Sequence, residues 1–173
     1  AITRLLISLG ASIDSPTINK VTPLMISSLN NFVDITELLL SSGANPNVYD
    51  INNNSPLILS SLKGHSKIVE LLIKFHADVN SKNIAGNTAL AVASSLGHIN
   101  VMVNLLKAGA NLDDTDNNGY TPLMLAVLNM QTNSAKLLVK YEANINIQNY
   151  NGETPLIIAI NNADIKLVEV LLN

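Results

Sequence analysis

One tripeptide recurs in this chain at a constant interval. Thr22-Pro23-Leu24, Ser55-Pro56-Leu57, Thr88-Ala89-Leu90, Thr121-Pro122-Leu123 and Thr154-Pro155-Leu156 follow one another 33 residues apart. A period this regular describes an array of one supersecondary unit, not a single closed globule. Other columns keep the same step: Gly10-Ala11, Gly43-Ala44, His76-Ala77, Gly109-Ala110 and Glu142-Ala143; then Gly86, Gly119 and Gly152; then Gly64-His65 and Gly97-His98. All eight glycines and four of the six prolines fall in these columns. Chance does not confine the two strongest backbone punctuators to so few phases.

Each column has a physical reading. Thr or Ser before Pro starts a helix: the hydroxyl caps a free backbone N–H, and Pro at the first helical position gives up nothing. Leu24, Leu57, Leu90, Leu123 and Leu156 then begin the buried stripe of a short first helix. Gly64-His65 breaks that helix and opens a second. The second carries Ile68, Val69, Leu71, Leu72 and Ile73, a face too wide for an isolated surface helix. Gly43 and Gly109 stand where a left-handed residue ends the second helix. The stretch from Ala77 to Gly86 reads as a hairpin-like loop leading to the next cap. A unit of loop, helix, turn and helix has too little core to fold alone, so neighbours must stack and share their apolar faces.

Composition agrees with that picture and removes other classes. The chain is 47% hydrophobic but only 3% aromatic, so its core is aliphatic. The net charge of -3 argues against a general nucleic-acid binder, which needs basic patches for phosphate. Without cysteine there is no disulfide framework, thiolate metal site or cysteine nucleophile. No apolar run approaches the roughly 20 residues that span a bilayer. No signal peptide is visible, and a start at Ala1 instead of Met is expected of a fragment or processed chain. Asn makes up near one residue in seven and is phased with the repeat, as turn residues should be.

At the level of motifs the chain resembles the ankyrin-repeat family. Asp116-Asn117-Asn118-Gly119-Tyr120-Thr121-Pro122-Leu123 is similar to the opening of that repeat, Gly64-His65-Ser66-Lys67-Ile68-Val69-Glu70-Leu71-Leu72 to its middle, and Ala77-Asp78-Val79-Asn80 to its end. The resemblance implies an all-α solenoid of stacked helix-turn-helix units with hairpin-like loops and a 33-residue period. It spans 1–173 as one domain, with a partial repeat at 1–16, full repeats at 17–49, 50–82, 83–115 and 116–148, and a truncated repeat at 149–173. Ile2, Leu5 and Leu6 at one end, and Val168, Leu171 and Leu172 at the other, lack the polar face of a capping repeat. Further repeats are therefore expected to flank the segment.

There are departures from the pattern. The family's His after Thr-Pro-Leu is replaced by Met25, Ile58, Ala91, Met124 and Ile157, so apolar contact is expected in place of its loop-tying hydrogen bonds. His76 and Glu142 stand at a phase where Gly takes positive φ cheaply, and a left-handed backbone there would cost each about 1 kcal/mol. Lys20 and Asn53 replace the loop glycine. The segment from Ser12 to Val21 matches least well.

Catalytic groups are few. His65 and His98 are copies of one column, expected at the helix-to-helix turn; His76 stands alone. No Ser-His-Asp set emerges, because the serines occupy capping and helix-break slots. Asp113, Asp114 and Asp116 cluster, but a calcium loop would want a spaced set ending in Glu. Neither glycine-rich phosphate motif occurs. Lys67, Lys74, Lys136 and Lys140 read as the solvent face of second helices, with Glu70 and Lys74 as an i,i+4 pair. We expect no enzyme, no cofactor and no metal site.

Repeat arrays meet partners on an extended curved surface, which the resemblance assigns to loop tips and first helices. By phase, the candidate protein-binding residues are Tyr49, Ile51, Asn52, Leu62, Ile84, Asn87, Asn118, Tyr120, Tyr150 and Asn151. Tyr pairs a large apolar area with one hydrogen-bonding group, which suits interfaces. The alternative is that each Tyr only packs on the neighbouring tip. The implied function is non-catalytic protein–protein recognition by a monomer, intracellular and cytoplasmic with the nucleus as the other compartment, with no nucleic acid and no membrane insertion. Two alternatives stand beside it. The array is a targeting or scaffolding domain of a larger enzyme or channel polypeptide, or it is the substrate of an asparaginyl hydroxylase at Asn47, Asn80 or Asn146.

Overall fold

The computed structural model describes residues 2–172, and all their side chains except those of Ile2, Leu6 and Ile7. Among the described residues there are only helices, turns and loops. The helices are α1 (Ile2–Ser8), α2 (Pro23–Leu29), α3 (Val33–Ser41), α4 (Pro56–Leu62), α5 (Ser66–Lys74), α6 (Ala89–Leu96), α7 (Ile99–Lys107), α8 (Pro122–Leu128), α9 (Thr132–Lys140), α10 (Pro155–Asn161) and α11 (Ile165–Leu172). The even-numbered helices are the first of each unit and the odd-numbered ones the second. First helices stack in the order α2, α4, α6, α8, α10, and second helices in the order α3, α5, α7, α9, α11. The result is a two-layer solenoid.

The tripeptides start the first helices as their chemistry requires. The Oγ atoms of Thr22, Ser55, Thr88, Thr121 and Thr154 accept from the backbone N–H of the residue three places on, at 3.2–3.4 Å. Pro23, Pro56, Pro122 and Pro155 occupy the first turn. The next Leu points into the core: Leu24, Leu57, Leu90 and Leu123 are buried. The second layer contributes Leu39, Leu72, Leu105, Leu138 and Leu171, all buried at the same phase.

Left-handed backbone recurs in three columns. The second helices end at Gly10, Gly43, His76, Gly109 and Glu142, and the loop turns carry Lys20, Asn53, Gly86, Gly119 and Gly152. The third column, between the two helices of a unit, holds Asn31, Gly64, Gly97, Met130 and Ala163. His76 (φ 64°) and Glu142 (φ 66°) thus do adopt the conformation that penalises a side chain.

The loops are hairpin-like without forming strands. Within each, two backbone bonds close a turn, as in Asn83 N–H to Asn87 O at 3.1 Å and Gly86 N–H to Asn83 O at 2.9 Å. The first loop, which matches the pattern least, has the same bonds between Thr17, Lys20 and Val21.

The i,i+4 pairing of Glu70 with Lys74 does not form. Glu70 Oε2 meets Lys67 Nζ at 3.1 Å, one turn earlier. Helical side chains lean toward the N-terminus, which brings Glu70 over Lys67. Lys74 instead lies 5.8 Å from the centre of the Phe75 ring.

Candidate interaction surface

The tips are built around one oxygen per loop. Asp50 Oδ1 accepts from the backbone N–H groups of Asn52 and Asn54, at 2.9 and 2.8 Å. Asn83 does the same for Ala85 and Asn87, Asp116 for Asn118 and Tyr120, and Asn149 for Asn151 and Glu153. Short polar side chains at this phase replace missing backbone partners. Adjacent tips are then joined by backbone bonds: Ile51 N–H to Asn19 O, Ile84 N–H to Asn52 O, Asn117 N–H to Ala85 O and Tyr150 N–H to Asn118 O, at 3.0–3.2 Å. The carboxamides of Asn53 and Asn117 add bonds to Lys82 O and Ile84 O. The loops therefore have polar ties that compensate for the family histidine. Its replacements Met25, Ile58, Ala91 and Met124 are buried.

A second ladder runs closer to the second helices. Asn47 Oδ1 accepts from Asp78 N–H at 2.8 Å, and its amide donates to His76 O at 3.2 Å. Asn80 repeats the pattern with Asn111 N–H at 2.9 Å and Gly109 O at 3.5 Å. Asp14 and Asp113 hold the same phase, accepting from Asn45 and Asn144.

The paired histidines and the aspartate cluster are also engaged. His65 Nε2 lies 3.1 Å from Leu29 O and His98 Nε2 3.3 Å from Leu62 O, so both rings tie a helix-to-helix turn to the preceding unit. In the aspartate cluster, Asp113 and Asp116 hold backbone N–H groups, while Asp114 accepts from the Asn111 amide at 3.2 Å. Among the described residues no three His, Cys, Asp or Glu side chains converge as a metal site. None of those helices is long and apolar enough to cross a membrane.

The residues singled out by phase divide into two groups. Ile51 (56% exposed), Ile84 (63%) and Tyr150 (78%) project from successive tips, and Leu62 is exposed at the end of α4. Asn52, Asn118 and Asn151 are exposed beside them. Tyr49, Asn87 and Tyr120 are only half-exposed, and Tyr120 packs against the core. For Tyr120 the packing alternative therefore carries weight. Ile18 shares the column of Ile51, Ile84 and Tyr150 and is 96% exposed, the most open large apolar residue described. Its phase puts it on a tip, and its exposure distinguishes it there. Leu96 and Leu128 extend the exposed apolar surface along the first helices.

Comparison with known proteins agrees with this architecture. The family profile described as ankyrin repeats (3 copies) matches residues 24–116, 60–149 and 101–173. No curated protein matches the chain. A helix pair stacked on a helix pair at a constant 33-residue step, under a profile that together covers 24–173, has one reading: the chain belongs to the ankyrin-repeat family.

Proposed function

We propose that this chain is a non-catalytic protein-recognition module that takes its partner on the loop tips and the neighbouring ends of the first helices. Ankyrin repeats generally serve protein–protein interaction. The observation that carries the surface assignment is the row of exposed Ile18, Ile51, Ile84 and Tyr150 on a framework whose other aliphatic columns are largely buried. Apolar groups gathered on one rim are a mark of docking surfaces. An intracellular setting accompanies this reading.

Affinity capture from the native cell tests it, comparing the unmodified chain with the Ile51→Ser/Tyr150→Ala variant. The variant should lose the partner and keep its melting temperature. A partner retained by this variant but lost on Lys107→Glu/Lys140→Glu would move the surface to the second helices and refute the assignment. Hydroxylation of Asn47 or Asn80 has less support, because both carboxamides are engaged in ties between units. A targeting role within a larger polypeptide is compatible with the same surface.

A further inference from the structure

Two asparagines of this chain are followed by glycine: Asn118 by Gly119 and Asn151 by Gly152. Such a pair can close into a ring. The next backbone nitrogen attacks the side-chain carbonyl carbon, and glycine has no Cβ to hinder the approach. Asn87 and Asn146 also have carboxamides without hydrogen bonds among the described residues, but β-branched Thr88 and Ile147 follow them and crowd that nitrogen. The two Asn-Gly pairs share one tip phase, 33 residues apart. Both asparagines are exposed, and neither carboxamide has a hydrogen-bond partner among the described residues.

Their own loops hold the two pairs alike. Gly119 N–H donates to Asp116 O at 3.1 Å, and Gly152 N–H to Asn149 O at 2.9 Å. The glycine φ values are 81° and 77°. Asp116 Oδ1 and Asn149 Oδ1 each accept from two N–H groups of the tip. Opening the turn is therefore a matched requirement at the two places.

The neighbouring unit separates them. Ring closure must swing the peptide plane that joins Asn to Gly. At Asn118 that plane is clamped, because its carbonyl accepts from Tyr150 N–H at 3.1 Å. Gly119 is also buried, and a Cβ on it would lie 2.9 Å from Tyr150 N and 2.9 Å from Tyr150 Cδ1. At Asn151 no described group donates to the carbonyl. Gly152 is exposed, and a Cβ on it would meet nothing within 4 Å.

We infer that Asn151 is a site of spontaneous modification to aspartate and isoaspartate, while contact with the next tip protects Asn118. The Gly152 nitrogen gives up its proton and bonds to Asn151 Cγ. The bond from Cγ to the amide nitrogen breaks, and ammonia leaves carrying a proton, which yields a five-membered succinimide. One water then reopens the ring. Cleavage at Cγ gives aspartate, and cleavage at the backbone carbonyl carbon gives isoaspartate. Water is the one reactant consumed, and nothing is oxidised or reduced. Either product sets a new carboxylate beside exposed Tyr150, and isoaspartate lengthens the loop backbone by one carbon. The tip thereby acquires negative charge without any enzyme.

The test incubates the whole chain in mildly alkaline buffer, folded and, separately, unfolded in guanidinium chloride. Peptide mapping by mass spectrometry follows each site, and isoaspartate is scored by enzymatic methylation. In the folded chain Asn151 should convert at least about ten-fold faster than Asn118, whose closure must first break a contact between units. In guanidinium the two rates should fall within about two-fold of each other, since both are then Asn-Gly in an open chain. Gly152→Ala should slow conversion of Asn151 at least about ten-fold, because a Cβ then shields the nitrogen. Equal rates in the folded chain, faster conversion of Asn118, no conversion of Asn151, or another asparagine outrunning it overturns the inference. So does a rate ratio that survives unfolding, which would place the difference in the following residues Tyr120 and Glu153. An unchanged rate in Gly152→Ala overturns it as well.

Discussion

Gly86 and Gly109 make a controlled pair for separating backbone strain from repeat-to-repeat contact. Their φ values are nearly the same, 81° and 85°, so a Cβ pays the same left-handed penalty at either place. At Gly109 a methyl group would meet nothing within 4 Å. Gly109→Ala should therefore cost only the backbone term, about 1 kcal/mol. At Gly86 the methyl would lie 2.5 Å from Asn117 Oδ1 and 2.7 Å from Asn117 N, in the neighbouring tip. That nitrogen also donates to Ala85 O at 3.0 Å. Relief requires the two loops to separate, adding overpacking of about 1–3 kcal/mol and weakening a ladder bond worth about 1 kcal/mol. For a chain of this size each kcal/mol lowers Tm by about 2–4 °C. Thermal unfolding followed by circular dichroism should thus show Gly109→Ala melting about 3 °C lower, and Gly86→Ala about 6–15 °C lower. Equal losses would refute the claim that tight approach of adjacent tips, and not loop conformation alone, requires glycine at Gly86.

Three further outcomes follow from the same framework. Glu142→Gly should raise stability by about 0.5–1 kcal/mol, seen as a higher urea midpoint at constant slope, because the residue adopts φ 66°. Ser134→Ala should also stabilise, by about 1 kcal/mol in the same assay: its buried hydroxyl has no partner, at a phase that Ile68, Val101 and Leu167 fill with aliphatic side chains. Asn83→Ala should destabilise by about 2 kcal/mol and speed amide hydrogen exchange at Ala85 and Asn87, whose N–H groups lose their shared acceptor.

The period, the helix starts and the buried leucines were legible in the residues because each depends on local chemistry. A hydroxyl caps the turn beside it, Pro fits the first helical position, and Leu24 or Leu123 follows in a fixed direction. The left-handed turn between the helices was legible where glycine marked it, at Gly64 and Gly97. Asn31 is a residue that tolerates this backbone, whereas Met130 and Ala163 adopt it with no matching residue signal. Pairing on exposed helix faces was not legible either, since Glu70 had neighbours at both helical spacings and side-chain direction chose Lys67.

The candidate surface divides along the same line. Its column positions are a property of the repeat, so the sequence alone determined which residues stand at the tips. How open each one is was decided only by tertiary packing. Ser28, Ser61, Ser94 and Val127 share a column with Ile160, yet they are buried beneath the next unit whereas Ile160, with no described unit over it, is 58% exposed. Tyr120 and Tyr150 likewise both belong to the tips, but the first rests on the core and the second stands out from it. Local chemistry sets conformation within a unit, while burial and free hydrogen-bonding capacity depend on what the neighbouring units cover.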